Sequence, residues 1–404
     1  MRSQYDLVII GGGCSGLSLG YQLAILEGNT PKTLLIEPRL KYTNDRTWCF
    51  WEDTHNPFST LCMHHWKELL VVSEDRETVL ICTGRPYQLL AGDIFYEYTQ
   101  HKIASNPRIE LRLGIRLIKE AEYKNGLWLL TTNQGIIASK LVVDTRPSLT
   151  SVAYAIGEPM ENSTINALEI ATLWQSFLGY EVECEVPLFD PHRATLMDFC
   201  DPNSEYVGFT YVLPITKHIA LIEFTTFGAL PYSAQELLTH LEEKIQNITQ
   251  GQTYQIKRTE SGSIPMGMNQ DALSRSKFNS TNTLTYVYAG VSAGAARSAT
   301  GYAFQRIQKW AIECAFTIVN NAHPAPQLED SFIVRKMDSL FLNVIKNNPK
   351  LGPSLFVALF SNVKTDRLIR FLTDQGSMMD YAAVVLALPK RLFLKGLYKL
   401  VLHR

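Results

Sequence analysis

Little in this chain stands out by excess, and what is missing narrows the field. No uninterrupted apolar run reaches the roughly 18 to 20 residues a spanning helix needs, so the chain is expected to be soluble or to lie on a membrane surface. The apolar run "YDLVII" follows Met1 almost at once, so no secretory leader is expected. A formal net charge of −1 over 404 residues offers no basic field, and no nucleic-acid partner is expected. The seven cysteines (Cys14, Cys49, Cys62, Cys82, Cys184, Cys200 and Cys314) form no Cys-x-x-Cys pair, which reads as reduced, packed thiols in a cytosolic protein. The nine histidines show no metal-ligand spacing; His64 and His65 are adjacent, so their side chains diverge. There is no Gly-x-Ser-x-Gly nucleophile signature, no internal repeat and no low-complexity segment. No metal is expected.

What is present begins with a βαβ pattern. "YDLVII" is a short apolar strand, "GGGCSG" a glycine turn, "LSLGYQLAIL" has helical spacing, and "TLLIEP" is a second strand. The aromatic stretch "YTNDRTWCFWEDTHNPF" is read as a loop, "ELLVVSEDRETVLICTG" as a hairpin and "GDIFYEYTQHKIA" as a helix. A strand meander follows, with turns at Lys124-Asn125-Gly126 and Asn133-Gln134-Gly135, and ends in "LVVD". Residues 180–265 are mostly extended with one amphipathic helix, "SAQELLTHLEEKIQNI". "LTYVYAGVSAGAARSATGYAF" runs from a strand through a small-residue loop into a long helix, and the last eighty residues are read as helical.

Gly11-x-Gly13-x-x-Gly16 lies between a strand and a helix. Gly11 permits the tight turn, Gly13 lets backbone approach a pyrophosphate, and Gly16 lets helix and strand pack closely. The helix N-terminus favours the phosphate anion. Glu37 ends the second strand where an acid accepts from a ribose 2′-hydroxyl, which favours FAD or NAD over NADP. "LVVDTRPS", with Asp144, and the segment around Gly290 suit close backbone approach to a flavin ring, or are plain βα connections.

A lone carboxylate, Glu223, sits in the apolar strand "ALIEFTTF". Strand alternation puts Ile219, Leu221, Glu223, Thr225 and Phe227 on one face. Glu223 is either an edge-strand partner of a cation such as Lys217 or a desolvated acid whose pKa is raised enough to serve as a general acid. Asp198, in "TLMDFC", is a second candidate catalytic acid. Trp48, Phe50, Phe209, Tyr211, Phe224 and Phe227 are candidates for an aromatic site that would stabilise a cation.

These segments, together with "NDRTWCFWE", "WQSFLGYEVE" and "SGSIPMG", resemble the FAD-dependent lycopene β-cyclases of proteobacteria and flavobacteria over nearly the whole chain. The resemblance implies an α/β fold of the flavoprotein-hydroxylase kind: a Rossmann-like FAD-binding domain (1–60, 85–180 and 280–320) interleaved with a β-sheet substrate domain (61–84 and 181–279), plus a C-terminal helical region (321–404). It implies cofactor contacts at Gly11, Gly13, Gly16, Glu37, Arg46, Asp144, Gly290, Ala299, Thr300, Gly301 and Tyr302. Where related hydroxylases have Gly-Asp this chain has Gly290-Val291, and Ala299 stands in place of a proline. The family's essential acid, in strands of I-E-D-T or L-E-E-T type, falls on Glu223, and Phe224 replaces the acid that often follows it.

The implied activity is non-redox cyclisation of lycopene to β-carotene through γ-carotene. Glu223 would be the proton donor, reduced FAD the cation stabiliser, and NADPH an external reductant. Lycopene and a membrane surface are the implied partners, with the protein peripheral on the inner face of the cell membrane. The basic, apolar end "YAAVVLALPKRLFLKGLYKLVLHR" suits that surface, or is a packed helix with a solvated basic face. Two alternatives stay open on this scaffold: a monooxygenase or polyprenyl reductase acting on an apolar isoprenoid, and a non-catalytic carotenoid-binding flavoprotein.

Overall fold

The computed structural model describes residues 3–53, 56–147, 171–199, 205–268 and 284–395. The expected βαβ unit opens it. Strand β1 (Ser3–Ile10) is apolar on both faces, as a central parallel strand requires. The chain turns on Gly11 at φ +99° into helix α1 (Cys14–Ile25) and returns as β2 (Thr33–Glu37), parallel to β1. Within the aromatic stretch read as a loop lies a short strand, β3 (Thr47–Trp51). With β4 (His64–Trp66) and a later strand it makes a three-stranded sheet.

The hairpin of β5 (Glu68–Ser73) and β6 (Arg76–Ile81) follows. Next come β7 (Tyr87–Ala91), which joins the three-stranded sheet, and the expected helix α2 (Gly92–Ala104). The meander comprises β8 (Ile109–Leu113), β9 (Glu122–Lys124), β10 (Leu127–Thr132) and β11 (Gly135–Asp144). Asn125 and Gly126, both at positive φ, form the two-residue turn between β9 and β10.

The second large sheet is built from β12 (Leu173–Cys184), β13 (Arg193–Asp198), β14 (Val207–Pro214) and β15 (Ile219–Gly228). Helix α3 (Ala234–Ile248) follows, started by a reciprocal Ser233–Glu236 capping box, and then the long strand β16 (Tyr254–Met266). The sheet order is β16-β12-β15-β14-β13-β5-β6. The domain boundary expected at 180 falls inside β12, a strand that belongs wholly to this sheet. After β17 (Tyr286–Tyr288) comes the small-residue loop, then α4 (Phe304–Asn321). Four C-terminal helices follow, α5 (Phe332–Asn347), α6 (Gly352–Asn362), α7 (Thr365–Leu372) and α8 (Met378–Ala387), and a further helical segment at 390–395 ends the described chain.

The first sheet, β8-β2-β1-β11-β10-β9 with β17 beside β11, brings the glycine turn, Asp144 and the loop after β17 to one end. Ligands gather at that carboxyl edge in open α/β sheets. The second sheet has two apolar faces. Ile222 and Phe224 pack with Leu237, Leu241 and Ile245 of α3, while Leu221 and Phe227 pack with Phe341, Phe356 and Leu372 of the C-terminal helices. No helix among the described residues is long and apolar enough to cross a membrane. Residues 396–404, with Lys399 and Arg404 of the basic C-terminal end, lie outside the described residues, as does Cys200.

Candidate active site

The glycine turn has the form a dinucleotide needs. A Cβ on Gly16 would overlap the carbonyl oxygen of Gly11, so only glycine lets α1 start against β1. A Cβ on Gly13 would meet nothing within 4 Å. Gly13 caps α1 without a side-chain acceptor, and no acid occupies the first turn, so the free N–H groups face open space. Glu37 is buried beside it, accepting from the Gly12 N–H at 2.6 Å and from Arg39 Nε at 2.8 Å. Thr145, after Asp144, donates to the Gly11 carbonyl at 3.0 Å and braces the turn. The Asp144 carboxylate is itself held by Arg146 (2.7 Å) and Tyr286 (2.8 Å), so it orders this end of the sheet.

The loop after β17 is small enough for backbone to approach a flat ring, with Gly290, Gly294 and Gly301 all at positive φ. A Cβ on Gly301 would strike the side-chain oxygen of Gln175. That buried Oε1 has no hydrogen-bond partner among the described residues. An open, uncapped helix start and an orphaned amide oxygen beside a glycine loop fit a diphosphate and a polar ring edge, so the residues suit the dinucleotide the sequence implies. No group of three or more His, Cys, Asp or Glu among the described residues could hold a metal.

Glu223 is a central-strand residue, between β12 and β14, and is 9% exposed. This disposes of the edge-strand pairing with Lys217. Its register partners are Tyr211 on β14 and Gly179 on β12, and Gly179 is also the partner of Glu260 on β16. Glycine at the middle of this row lets two carboxyl side chains meet: a Cβ on Gly179 would lie 3.2 Å from the Cβ of Glu223 and 3.4 Å from the Cγ of Glu260. Thr225 donates to Glu223 Oε1 at 2.8 Å. Arg258 (2.6 Å) and the Thr47 hydroxyl (2.9 Å) both donate to Glu260 Oε2, and Arg258 also binds Glu181 at 2.7 Å. Burial first, then the neighbouring charge of Glu260, push the Glu223 carboxyl up to about 8, against the pull of the Thr225 hydroxyl and of Arg258. Burial and the second carboxyl therefore both favour the protonated form of Glu223.

Beside this row lies an apolar cavity of about 370 Å³. Tyr211 and Phe227, with Leu196 and Met197 of β13, form one wall, Ala299, Thr300 and Tyr302 another, and the C-terminal helices the rest, out to Val385 and Leu394. Among the described residues the other polar side chains along it are Asp338 and Lys390. Glu223 stands immediately behind Tyr211, about 5 Å away along the sheet as cross-strand neighbours are. The hydroxyls of Tyr302 and Tyr87 are hydrogen-bonded, next to Cys49 and Tyr211.

The structure gathers some of the expected residues and disperses others. Tyr211, Phe227, Ala299, Thr300 and Tyr302 share the cavity wall, and Phe209 packs behind Tyr211 and Phe227 at 5.2 Å from each ring. Phe224 is on the opposite face, stacked on His240 of α3 at 5.1 Å. Asp198 pairs with Thr210, itself the partner of Phe224, so a bulge in β13 carries it to that opposite face as well. Trp48 and Phe50 point away from the cavity, packing on Phe95 and Phe304 in the first domain, because they alternate with Thr47, Cys49 and Trp51 along β3. Arg46 reaches the Ser261 carbonyl, next to Glu260. Sequence reasoning missed Glu260, Gly179, Arg258, Thr47, Cys49 and Gln175. The period-2 alternation of β3 and of β16 was the available signal for Thr47, Cys49, Arg258 and Glu260.

Comparison with known proteins gives the family and the fold. The family model described as "Lycopene cyclase protein" matches residues 6–396. A lycopene beta-cyclase of Pseudescherichia vulneris is 24% identical over 276 residues, 66% of this chain, and the match spans 63% of that relative's length. Among solved structures, a geranylgeranyl bacteriochlorophyll reductase-like protein from Thermoplasma acidophilum is similar at a TM-score of 0.59, with 14% identity, over 98% of this chain and 99% of that one. The flavin-dependent monooxygenase PieE, in complex with FAD and substrate, also scores 0.59, with 11% identity, over 95% of this chain and 71% of that one. At these identities the structures attest the fold alone.

Proposed function

The chain belongs to the lycopene cyclase family, and on that premise we propose that it is an FAD-dependent lycopene β-cyclase, an isomerase that closes β-rings on the ends of a linear polyene. The observation that carries this reading is a buried carboxyl whose protonated form is favoured, Glu223, behind the aromatic wall of an apolar cavity that also touches the glycine loop. A hydrocarbon has no polar handle, so shape, dispersion and burial bind it, as the lining allows. Glu223 transfers its proton to the terminal alkene and leaves a tertiary cation. The electron pair of the neighbouring double bond closes the six-membered ring, and loss of a ring C–H proton restores an alkene. No net electrons move. The faces of Tyr211 and Phe227 stabilise the cation, and burial strengthens that attraction. Both ends treated in turn give β-carotene through monocyclic γ-carotene.

FAD would be held by the backbone of Gly11–Gly16 at its diphosphate, by Glu37 at its adenosine ribose, and by the Gly290 and Thr300–Tyr302 segments at its ring. In its reduced form, with NADPH as the external reductant, the bound flavin supplies negative charge to the site. The outer end of the cavity supports a lipid-surface reading. Val385 and Leu394 are more than half exposed there, beside exposed Lys390, Arg391 and Lys395. That suits a peripheral protein at the inner face of the cell membrane.

A second reading is a monooxygenase or reductase acting on an apolar isoprenoid, which the same apolar cavity would admit. Pigment analysis of a lycopene-accumulating strain expressing the chain separates the two. Cyclic carotenes support the first reading, oxygenated or hydrogenated products the second, and unchanged lycopene a protein that only binds the pigment.

A further inference from the structure

We propose that Glu223 and Glu260 hold one proton between them and work as a single acid–base unit, with Gly179 as the gap through which they meet and Glu260 as the positioning residue, held in place by Arg258 and Thr47. The inference rests on the cyclase reading above and adds to it the group that takes the proton back.

The geometry assigns unequal roles. Both donors on Glu260, Arg258 and Thr47, converge on its Oε2, so Glu260 is the member of the pair that has a guanidinium of its own. Glu223 has no cation of its own. Its Oε1 accepts from Thr225, leaving Oε2 to carry the proton. Two carboxylates this close in a buried site cannot both ionise cheaply, so the member without a cation keeps the proton. The groups facing the pair come from every neighbouring element: Thr225 from β15, Tyr211 from β14, Glu181 from β12, Arg258 from β16, and Thr47 and Cys49 from β3, with Tyr302 and Tyr87 one contact further out. Arg258 is the one cation among these groups, and Glu181 shares it.

The consequence is chemical. When the Glu223 O–H bond breaks and its proton forms a C–H bond on the alkene, two neighbouring carboxylates share one guanidinium. The excess negative charge lies beside the new carbocation and favours it. The same charge makes the pair a strong base for the second step, in which a ring C–H bond breaks, its electrons become the C=C bond and the proton returns to Glu223. The proton count closes without any oxidant or external base.

The test uses the FAD-loaded protein and three variants, Glu223→Gln, Glu260→Gln and Gly179→Ala. Infrared spectra at neutral pH should show a protonated-carboxyl band in the parent that Glu223→Gln abolishes. In Glu260→Gln the band should titrate away at a pH lower by about one unit or more, because the charge that holds the proton is gone. Gly179→Ala, which drives a methyl between the two side chains, should move it in the same direction. The alkaline limb of the kcat/KM profile should move with the band. An unmoved titration in both Glu260→Gln and Gly179→Ala overturns the shared proton. A parent protein that forms no ring while the band behaves as described overturns the cyclase reading and leaves the pair standing.

Discussion

Arg297 and Asp338 face each other as a buried, two-pronged ion pair, Nε to Oδ2 at 3.2 Å and Nη2 to Oδ1 at 3.3 Å. Asp338 also accepts from the Ala299 N–H at 3.3 Å, so one carboxylate on α5 pins the loop that follows β17. Burial pushes the Asp338 carboxyl up and Arg297 pulls it back, while Arg297 also reaches Asp374 at 3.5 Å and the Phe371 carbonyl. Asp338→Ala leaves a guanidinium that is 1% exposed without its main partner. The expected loss is about 3 kcal/mol or more in urea unfolding, with weakened FAD retention. The double replacement Arg297→Met with Asp338→Leu should regain most of the stability. A cost under about 1 kcal/mol for Asp338→Ala would show that the loop is held by other means.

Two glycines of one turn should respond differently to alanine. At Gly16 the added methyl meets the Gly11 carbonyl, so α1 must move and the fold should lose about 2 kcal/mol or more in the melt. At Gly13 the methyl meets nothing in the protein, so the melt of the FAD-free protein should stay within about 0.5 kcal/mol of the parent. FAD affinity should fall at least tenfold, since the ligand would occupy that space. Fluorescence titration with FAD checks this; unchanged affinity in Gly13→Ala would move the diphosphate elsewhere.

Glu223→Gln should bind FAD as the parent does and lose about 10²- to 10⁴-fold in ring formation, the usual contribution of a positioned general acid. In the parent, kcat/KM should be flat below pH 7 and fall above about 8 as the acid ionises. Stability follows the same sign. The folded pKa lies above the unfolded value of 4.5, so the folded state binds more protons across that window. The contribution is complete below pH 4.5 and is lost as pH rises through about 8. A Glu223→Gln variant whose unfolding free energy falls with pH between 5 and 8 as steeply as the parent's would assign that slope to another group.

Much of the fold was legible because its signals are local. The glycine spacing needs only one turn, and the alternation in "ALIEFTTF" needs only one strand to put Glu223 and Phe227 on a common face. The partner of Glu223 was not legible. Glu260 reaches it through the register of three strands distant in sequence, and the intervening Gly179 gives no signal of its own within "FLGYE". Phe224 illustrates the same limit: an acid at the next position along a strand points to the other face, here into the packing around α3. Asp198 fails through the bulge that shifts β13, and Trp48 and Phe50 through a short strand hidden in an aromatic stretch.

The outer end of the cavity makes the last prediction. Leu386 and Leu394 are each 65% exposed and Val385 54%, an apolar edge that water does not favour and a bilayer surface would cover. Lys390, Arg391 and Lys395 flank it, each contributing about 1 kcal/mol on an anionic surface. Replacing the three basic residues with Gln should cut binding to anionic vesicles roughly 100-fold and leave binding to neutral vesicles unchanged. Leu386→Asp with Leu394→Asp should weaken binding to both kinds of vesicle at least tenfold, since two apolar side chains lose their burial. Turnover of a detergent-dispersed polyene should survive the double replacement Arg391→Gln with Lys395→Gln, because neither side chain lines the cavity. Sedimentation with vesicles of the two compositions decides the matter: equal binding by the parent and both variants would leave the exposed rim without a lipid role.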